Sequence, residues 1–330
     1  YKELEINYSA YLLDAIANFS LSEHINELIP LNNGYAQLKK ALSDYRLLNS
    51  KLPTSKESLL ESPIIEEKLI ENGDLEEDYN KYSGALSNAI ISFNERHGLE
   101  STSDVDKTTL AALNIKLDDR INTILVNLER WRWLPTKMQQ KYVVVNIASF
   151  ELDVIVDQRS VWNTKVVVGK NERKTPVLSS EIFGVIINPD WTVPPTILKE
   201  DILPLKGKIP SYLVKNNIEV LNYKGQVIPP ESILWSTFRS NISFPYVLRQ
   251  KPGDWNALGR IKFSMPNPYL VYLHDTPAKA LFLKKERAFS SGCIRVFKPF
   301  ELAKLLFEME QNPMENTLEK IKNSGDTQKF

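Results

Sequence analysis

The placement of proline constrains this fold more than any other feature. Three prolines lie before residue 135 (Pro30, Pro53, Pro63) and sixteen from Pro135 onward. Proline has no N–H to donate and is excluded from helix interiors and central strands. The first 134 residues therefore read as helical, and the rest as strands and loops, an α+β arrangement. Tyr35–Leu48 places Leu38, Ala41, Leu42 and Tyr45 on one face, just after Gly34. Residues 51–80 read as loop with one short helix. Lys81–Arg96 carries Leu86, Ala89, Ile90 and Phe93 on one stripe, and Gly98 is placed to end it. Asp106 is positioned to cap Lys107–Leu113, and Asp118 or Asp119 to cap a helix running through Trp133. After Pro135 the period changes to two. Tyr142–Val145, Phe150–Val156, Trp162–Val168, Ile182–Ile187 and Tyr269–Leu273 then read as strands, and Pro299–Glu310 as a helix. The irregular interval 198–250 holds five prolines and reads as an insertion or lid.

Length and charge narrow the function classes. A chain of 330 residues is long enough for two domains or a few small ones. Lys+Arg and Asp+Glu balance at 41 each, which argues against nucleic acid as the main partner. The balance hides an asymmetry, because residues 1–80 hold fifteen acids and seven bases. There is no apolar run of about 18 residues, so no segment of this sequence reads as a membrane span. The chain begins at Tyr1 rather than Met, so a signal or membrane anchor is expected only on residues ahead of it.

The single cysteine, Cys293, lies in Ser290-Ser291-Gly292-Cys293-Ile294-Arg295-Val296. It is either a buried small hydrophobe or a nucleophile, and as a nucleophile it needs a base or a local positive field. Gly292 permits a tight turn, and adjacent N–H groups could face a developing oxyanion. Arg295 could favour thiolate or hold a carboxylate. His274 follows the apolar run Tyr269–Leu273 and precedes Asp275-Thr276-Pro277, which suits either a catalytic base at a strand end or a structural histidine. His24 and His97 read as surface residues. Three scattered histidines and one cysteine offer no metal-ligand cluster.

His274-Asp275-Thr276 followed by Ser290-Ser291-Gly292-Cys293-Ile294-Arg295 resembles the active-site signature of the L,D-transpeptidases. Ser291 stands where many members carry a second His, which is similar to the large YcbB-like branch, as is Tyr272–Pro277. Val168-Gly169-Lys170, Lys174-Thr175-Pro176, Asn188 through Pro195, Ile202-Leu203-Pro204 and Leu258 through Phe263 resemble the same branch. Upstream, Phe93-Asn94-Glu95-Arg96-His97-Gly98-Leu99 with Val105-Asp106 and Thr109 through Leu113 resembles a small three-helix peptidoglycan-binding module. Its usual Asp-Gly-x-Ile-Gly turn is replaced by Ser103-Asp104-Val105-Asp106-Lys107.

The resemblance implies a helical scaffold at 1–78, the binding-like module at 79–116 and a linker helix at 117–138. It places the catalytic domain at 139–330, with 198–250 as a capping subdomain over the Cys293 groove and further closing strands beyond Phe330. It implies periplasmic chemistry on peptidoglycan stem peptides, with no metal and no cofactor. Cys293 would attack a tetrapeptide donor, release D-Ala and pass the acyl group to the diaminopimelate amine of an acceptor, giving a 3→3 cross-link. His274 would be the base, oriented through the backbone carbonyl of Asp275. Gly292 and Cys293 N–H groups and the Tyr272 hydroxyl would stabilise the oxyanion, and Ser290, Ser291, Arg295 and Trp191 would lie at the substrate. Carbapenem-type inhibitors would acylate the same thiol. Transfer to water would make the protein an L,D-carboxypeptidase, and a dead catalytic domain would make it a wall-binding protein.

Overall fold

The computed structural model describes residues 7–30, 33–51, 62–78, 83–134, 139–238, 244–312 and 314–330. The chain divides into two compact units, Tyr1–Gln140 and Lys141–Phe330.

The first unit is helical. It runs α1 (Tyr8–Ala17), α2 (Leu21–Glu27), α3 (Asn33–Lys51), α4 (Ser62–Glu71), α5 (Ala85–Arg96), α6 (Lys107–Leu113) and α7 (Leu117–Arg132). Tyr35 and Leu42 on α3 pack on Leu128 of α7, with Leu38, Ile121 and Ile124 alongside. A second core gathers Leu69 and Leu75 with Ala89, Ile90, Phe93 and Leu113, so α4 packs together with α5 and α6. Asp106 caps α6 by accepting from the N–H groups of Thr108 and Thr109. The cap expected on α7 is absent. That helix starts after Lys116, with Asp118 and Asp119 inside its first turn, where their charge favours the positive end of the helix dipole. Asp118 instead accepts from Asn49 Nδ2 at 2.9 Å. The expected start at Lys81 lies outside the described residues. His97 is no surface residue. Its ring stacks on Phe93 at 4.1 Å, Arg120 meets its Nε2, and burial lowers its pKa to about 4.

The second unit carries a large mixed sheet in the order β1-β2-β3-β12-β10-β9-β4-β13. These strands are β1 (Lys141–Asn146), β2 (Glu151–Val156), β3 (Arg159–Gly169), β4 (Gly184–Ile187), β9 (Ile261–Ser264), β10 (Leu273–His274), β12 (Ile294–Val296) and β13 (Gln328–Lys329). A short β11 (Ala288–Ser290) adds to β3. One face of the sheet is apolar. Val185, Ile187, Ile261, Phe263, Leu273, Ile294 and Val296 pack there against Leu302 and Ala303 of α10 (Pro299–Met309) and Leu318 and Ile321 of α11 (Glu315–Ser324). This is the helix-on-sheet layering expected of an α+β unit.

The insertion forms a second sheet with its own core. Strands β5 (Trp191–Thr192), β8 (Val247–Gln250), β6 (Ile218–Leu221) and β7 (Val227–Ile228) pair in that order. This part of the chain also holds α8 (Pro195–Ile197) and α9 (Ile209–Lys215), and Ile202, Ile209, Leu213, Val220 and Leu248 are buried together. This sheet begins at Trp191, a few residues ahead of the interval picked out by its prolines.

The strand expected over Tyr269–Leu273 is mostly a loop. The Asn267 side chain accepts from the N–H of Tyr269 and Val271 and donates to the carbonyls of Met265 and Val271. Such local side-chain bonds compete with sheet pairing. Leu270 is driven to φ 55° and left exposed, and pairing starts only at Leu273.

Phe263 is fully buried at the centre of the large sheet. Phe263→Ala is expected to lower the unfolding free energy of this unit by about 3–5 kcal/mol, read by denaturant titration.

Candidate active site

Pairing register brings the expected residues together. Leu273 and His274 of β10 pair in parallel with Ile294 and Arg295 of β12, and antiparallel with Phe263 and Lys262 of β9. Side chains alternate across a sheet. Because Leu273, Ile294 and Phe263 face the core, His274, Arg295 and Lys262 must share the opposite face. Tyr272 and Cys293, each just ahead of its strand, continue the alternation onto that face, and the Tyr272 ring lies 5.7 Å from that of His274. The Ile294 N–H donates to the Tyr272 carbonyl at 3.0 Å, which keeps the two strands in register up to Cys293.

Cys293 sits on a turn closed by its neighbours. The Ser290 hydroxyl donates to the Cys293 carbonyl at 2.5 Å and accepts from the Gly292 N–H at 3.1 Å. Gly292 has φ 112°, a conformation that side chains rarely adopt. Thr175 Oγ1 donates to the Gly292 carbonyl at 2.8 Å and accepts from the Gly169 N–H at 2.8 Å. Ser290, expected at the substrate, is buried, and both its bonds serve this turn. The Gly292 N–H, expected to face an oxyanion, is engaged by that hydroxyl. Ser291 is exposed and its hydroxyl accepts from Arg173 at 3.0 Å.

His274 is buried, and its Nδ1 bonds the Asp275 carbonyl, leaving Nε2 to act as a base. The ring also lies within hydrogen-bond reach of the Leu258 carbonyl. The Asp275 carboxylate has separate work. It accepts from the Arg260 N–H at 3.0 Å and pairs with Lys279. Gly259 (φ 61°) approaches so close that a Cβ would stand 2.4 Å from Asp275 Oδ2.

Electrostatics leave both reacting groups neutral. Burial pushes the Cys293 thiol above its ordinary value, opposed by the Tyr272 N–H and hydroxyl and by Lys262 and Arg295. Burial lowers His274 to about 3, helped by the Arg295 and Lys262 cations and opposed by the Asp275 and Leu258 carbonyls. Burial also raises Tyr272, whose hydroxyl accepts from the Trp191 indole and reaches Cys293. In this state the thiol faces the Leu270 carbonyl at 3.8 Å rather than His274. His274 and Cys293, which lies just ahead of β12, are diagonal neighbours, a relation that spans roughly 7–8 Å, with the Cβ atoms somewhat closer. Such pairs commonly close only when substrate arrives.

Three contributors carried no role in the sequence reading. Arg173 donates to Glu200 at 2.9 Å, to both Asp201 oxygens at 2.7 Å and to Ser291. It thereby ties the insertion to the cysteine turn. Thr175 and Lys262 lie within segments that carried the resemblance, but their roles depend on loop closure and register. Among the described residues no group of three or more His, Cys, Asp or Glu is arranged to hold a metal ion.

Two outcomes follow from this geometry. With the thiol raised and His274 neutral down to about 3, alkylation of Cys293 by iodoacetamide is expected to accelerate continuously from pH 6 to above 9. A plateau set by a group near 6.5 would contradict it. Arg173→Met is expected to cut kcat/KM at this site by about tenfold and, with the pairs to Glu200 and Asp201 gone, to lower the thermal stability of this unit as well.

Comparison with known proteins bears on the second unit as a whole. The family model described as the L,D-transpeptidase catalytic domain, YkuD, matches residues 140–308. A Haemophilus influenzae protein named "Putative L,D-transpeptidase" is 40% identical over 185 residues, which are 56% of this chain and 37% of that relative. The present chain thus spans well under two thirds of that protein. With a matching catalytic-domain model over half its length, the chain belongs to the L,D-transpeptidase family.

Proposed function

We propose that the second unit is a cysteine-dependent peptidoglycan L,D-transpeptidase that forms 3→3 cross-links, and that it works in the periplasm. The observation that carries this reading is the common face shared by Cys293, Tyr272, His274 and Arg295. It is also the arrangement that the YcbB-like signature implies.

The donor carbonyl, between diaminopimelate and the terminal D-Ala of a tetrapeptide stem, meets Cys293 as the thiol turns from the Leu270 carbonyl towards His274. His274 takes the thiol proton, sulfur adds to the carbonyl carbon, and the oxyanion is met by the Cys293 N–H and the Tyr272 hydroxyl. The imidazolium returns its proton to the departing amine, D-Ala leaves, and a thioester remains on Cys293. The diaminopimelate amine of an acceptor stem then gives up a proton to His274 and attacks the thioester. An amide forms and the thiol is restored. Asp275 acts through its carbonyl, which keeps the basic nitrogen of His274 towards the thiol. Trp191 anchors the Tyr272 hydroxyl, Ser291 carries the link to Arg173, and Ser290 acts through the turn. The insertion limits water at the thioester. A carbapenem would be opened by the same attack. Residues 79–116 are proposed to assist as a peptidoglycan-binding module.

The test is mass analysis of purified tetrapeptide muropeptides incubated with the protein and with Cys293→Ala. A 3→3 dimer formed with loss of D-Ala, and absent with the variant, is the expected result. Tripeptide product without dimer would make the protein a carboxypeptidase, and dimer formed equally by the variant would remove Cys293 from the chemistry.

A further inference from the structure

We propose that Lys262 and Arg295 form a carboxylate subsite that reads the α-carboxylate of the residue following the scissile bond. The proposal rests on the acyl-transfer reading above and specifies what that site accepts. Lys262 and Arg295 pair with His274 from its two sides, on β9 and β12. Strand spacing of about 4.8 Å places the three side chains in a row across one face. Lys329 extends the row beyond Ile186 of β4, opposite Lys262.

Neither Lys262 nor Arg295 forms an ion pair among the described residues, although both are half-buried. The Nε of Arg295 is buried without a hydrogen-bond partner among the described residues. The Nζ of Lys262 rests 4.1 Å from the centre of the Tyr272 ring, whose hydroxyl reaches Cys293. Removing two neighbouring cations from water without a counter-charge is unfavourable. The Cys293 thiol is kept neutral by burial, and the carboxylates nearby do not supply one. The Asp275 carboxylate is taken by the Arg260 N–H and Lys279, and the Asp201 and Glu200 carboxylates by Arg173. The missing negative charge then comes with the substrate.

The scale selects which charge. One extended residue spans about 3.3–3.6 Å, and a charge-assisted hydrogen bond adds about 2.8 Å. A carboxylate one residue past a carbonyl held at Cys293 therefore reaches a cation about 6–6.5 Å away. The next same-face position along the strand, Arg295, lies about 6.6–6.8 Å on. A stem one residue longer would set a neutral peptide group against both cations. The acceptor amine carries a carboxylate on its own carbon, so one subsite serves the departing and the attacking group alike.

The test compares a tetrapeptide stem with its C-terminal carboxamide, following release of the terminal residue by the protein and by Lys262→Met and Lys262→Arg. The expected preference for the free acid is about 10- to 100-fold in kcat/KM. Lys262→Met should lose most of it, turnover of the acid falling further than that of the amide, and Lys262→Arg should retain it. Equal turnover of acid and amide by the unaltered protein would overturn the subsite, as would an undiminished preference in Lys262→Met. If the unaltered protein releases the terminal residue from neither stem, the acyl-transfer reading falls and the subsite with it.

Discussion

The pairing of the two-residue strand Leu273–His274 with its neighbours is the constraint on which the site depends. Phe263, Leu273 and Ile294 lie side by side in the core beneath α10 and α11. Their burial forces Lys262, His274 and Arg295 onto the other face. A slip of one residue would reverse every one of these positions and expose the core side chains instead. The apolar core thus sets the register of the residues on the opposite face.

The cysteine turn solves a second problem, that of holding a half-buried thiol still on a loop. A run of small residues has little packing of its own, so hydrogen bonds do the positioning. Ser290 closes the turn from within, and Thr175 holds it from the loop that follows β3. Arg173 then binds Ser291 and the acidic pair Glu200 and Asp201 of the insertion. A bidentate guanidinium–carboxylate contact fixes both distance and orientation, which a lysine in the same place would not.

Burial has opposite effects on the two reacting groups, and both effects favour a neutral resting state. The low-polarity surroundings raise the thiol and lower the imidazole, while Lys262 and Arg295 pull the thiol back towards ionisation. The His274 imidazole therefore stays unprotonated across the ordinary pH range. Among the described residues the same cations form no ion pair, which leaves the face receptive to an anionic ligand.

Much of this was readable from residues alone. The uneven prolines separated helical from strand-rich halves because proline acts on its own backbone. Asp106 capped α6 where its position indicated, since a cap reaches only two or three residues along the chain. Cys293 and His274 stood out as the chemistry-bearing residues of the second half, and the motifs around them named a family. Local reasoning failed where a longer-range or competing partner decided the outcome. Asn267 turned an apolar run into a loop, Asn49 engaged Asp118 from another helix, and His97 was drawn onto Phe93. Arg173 acts on Ser291 from 118 positions away, and Lys262 faces His274 only because two strands align. Residue identity determined which groups can react. Strand register and long-range hydrogen bonding, which no local spacing encodes, decided which groups face them and with what charge.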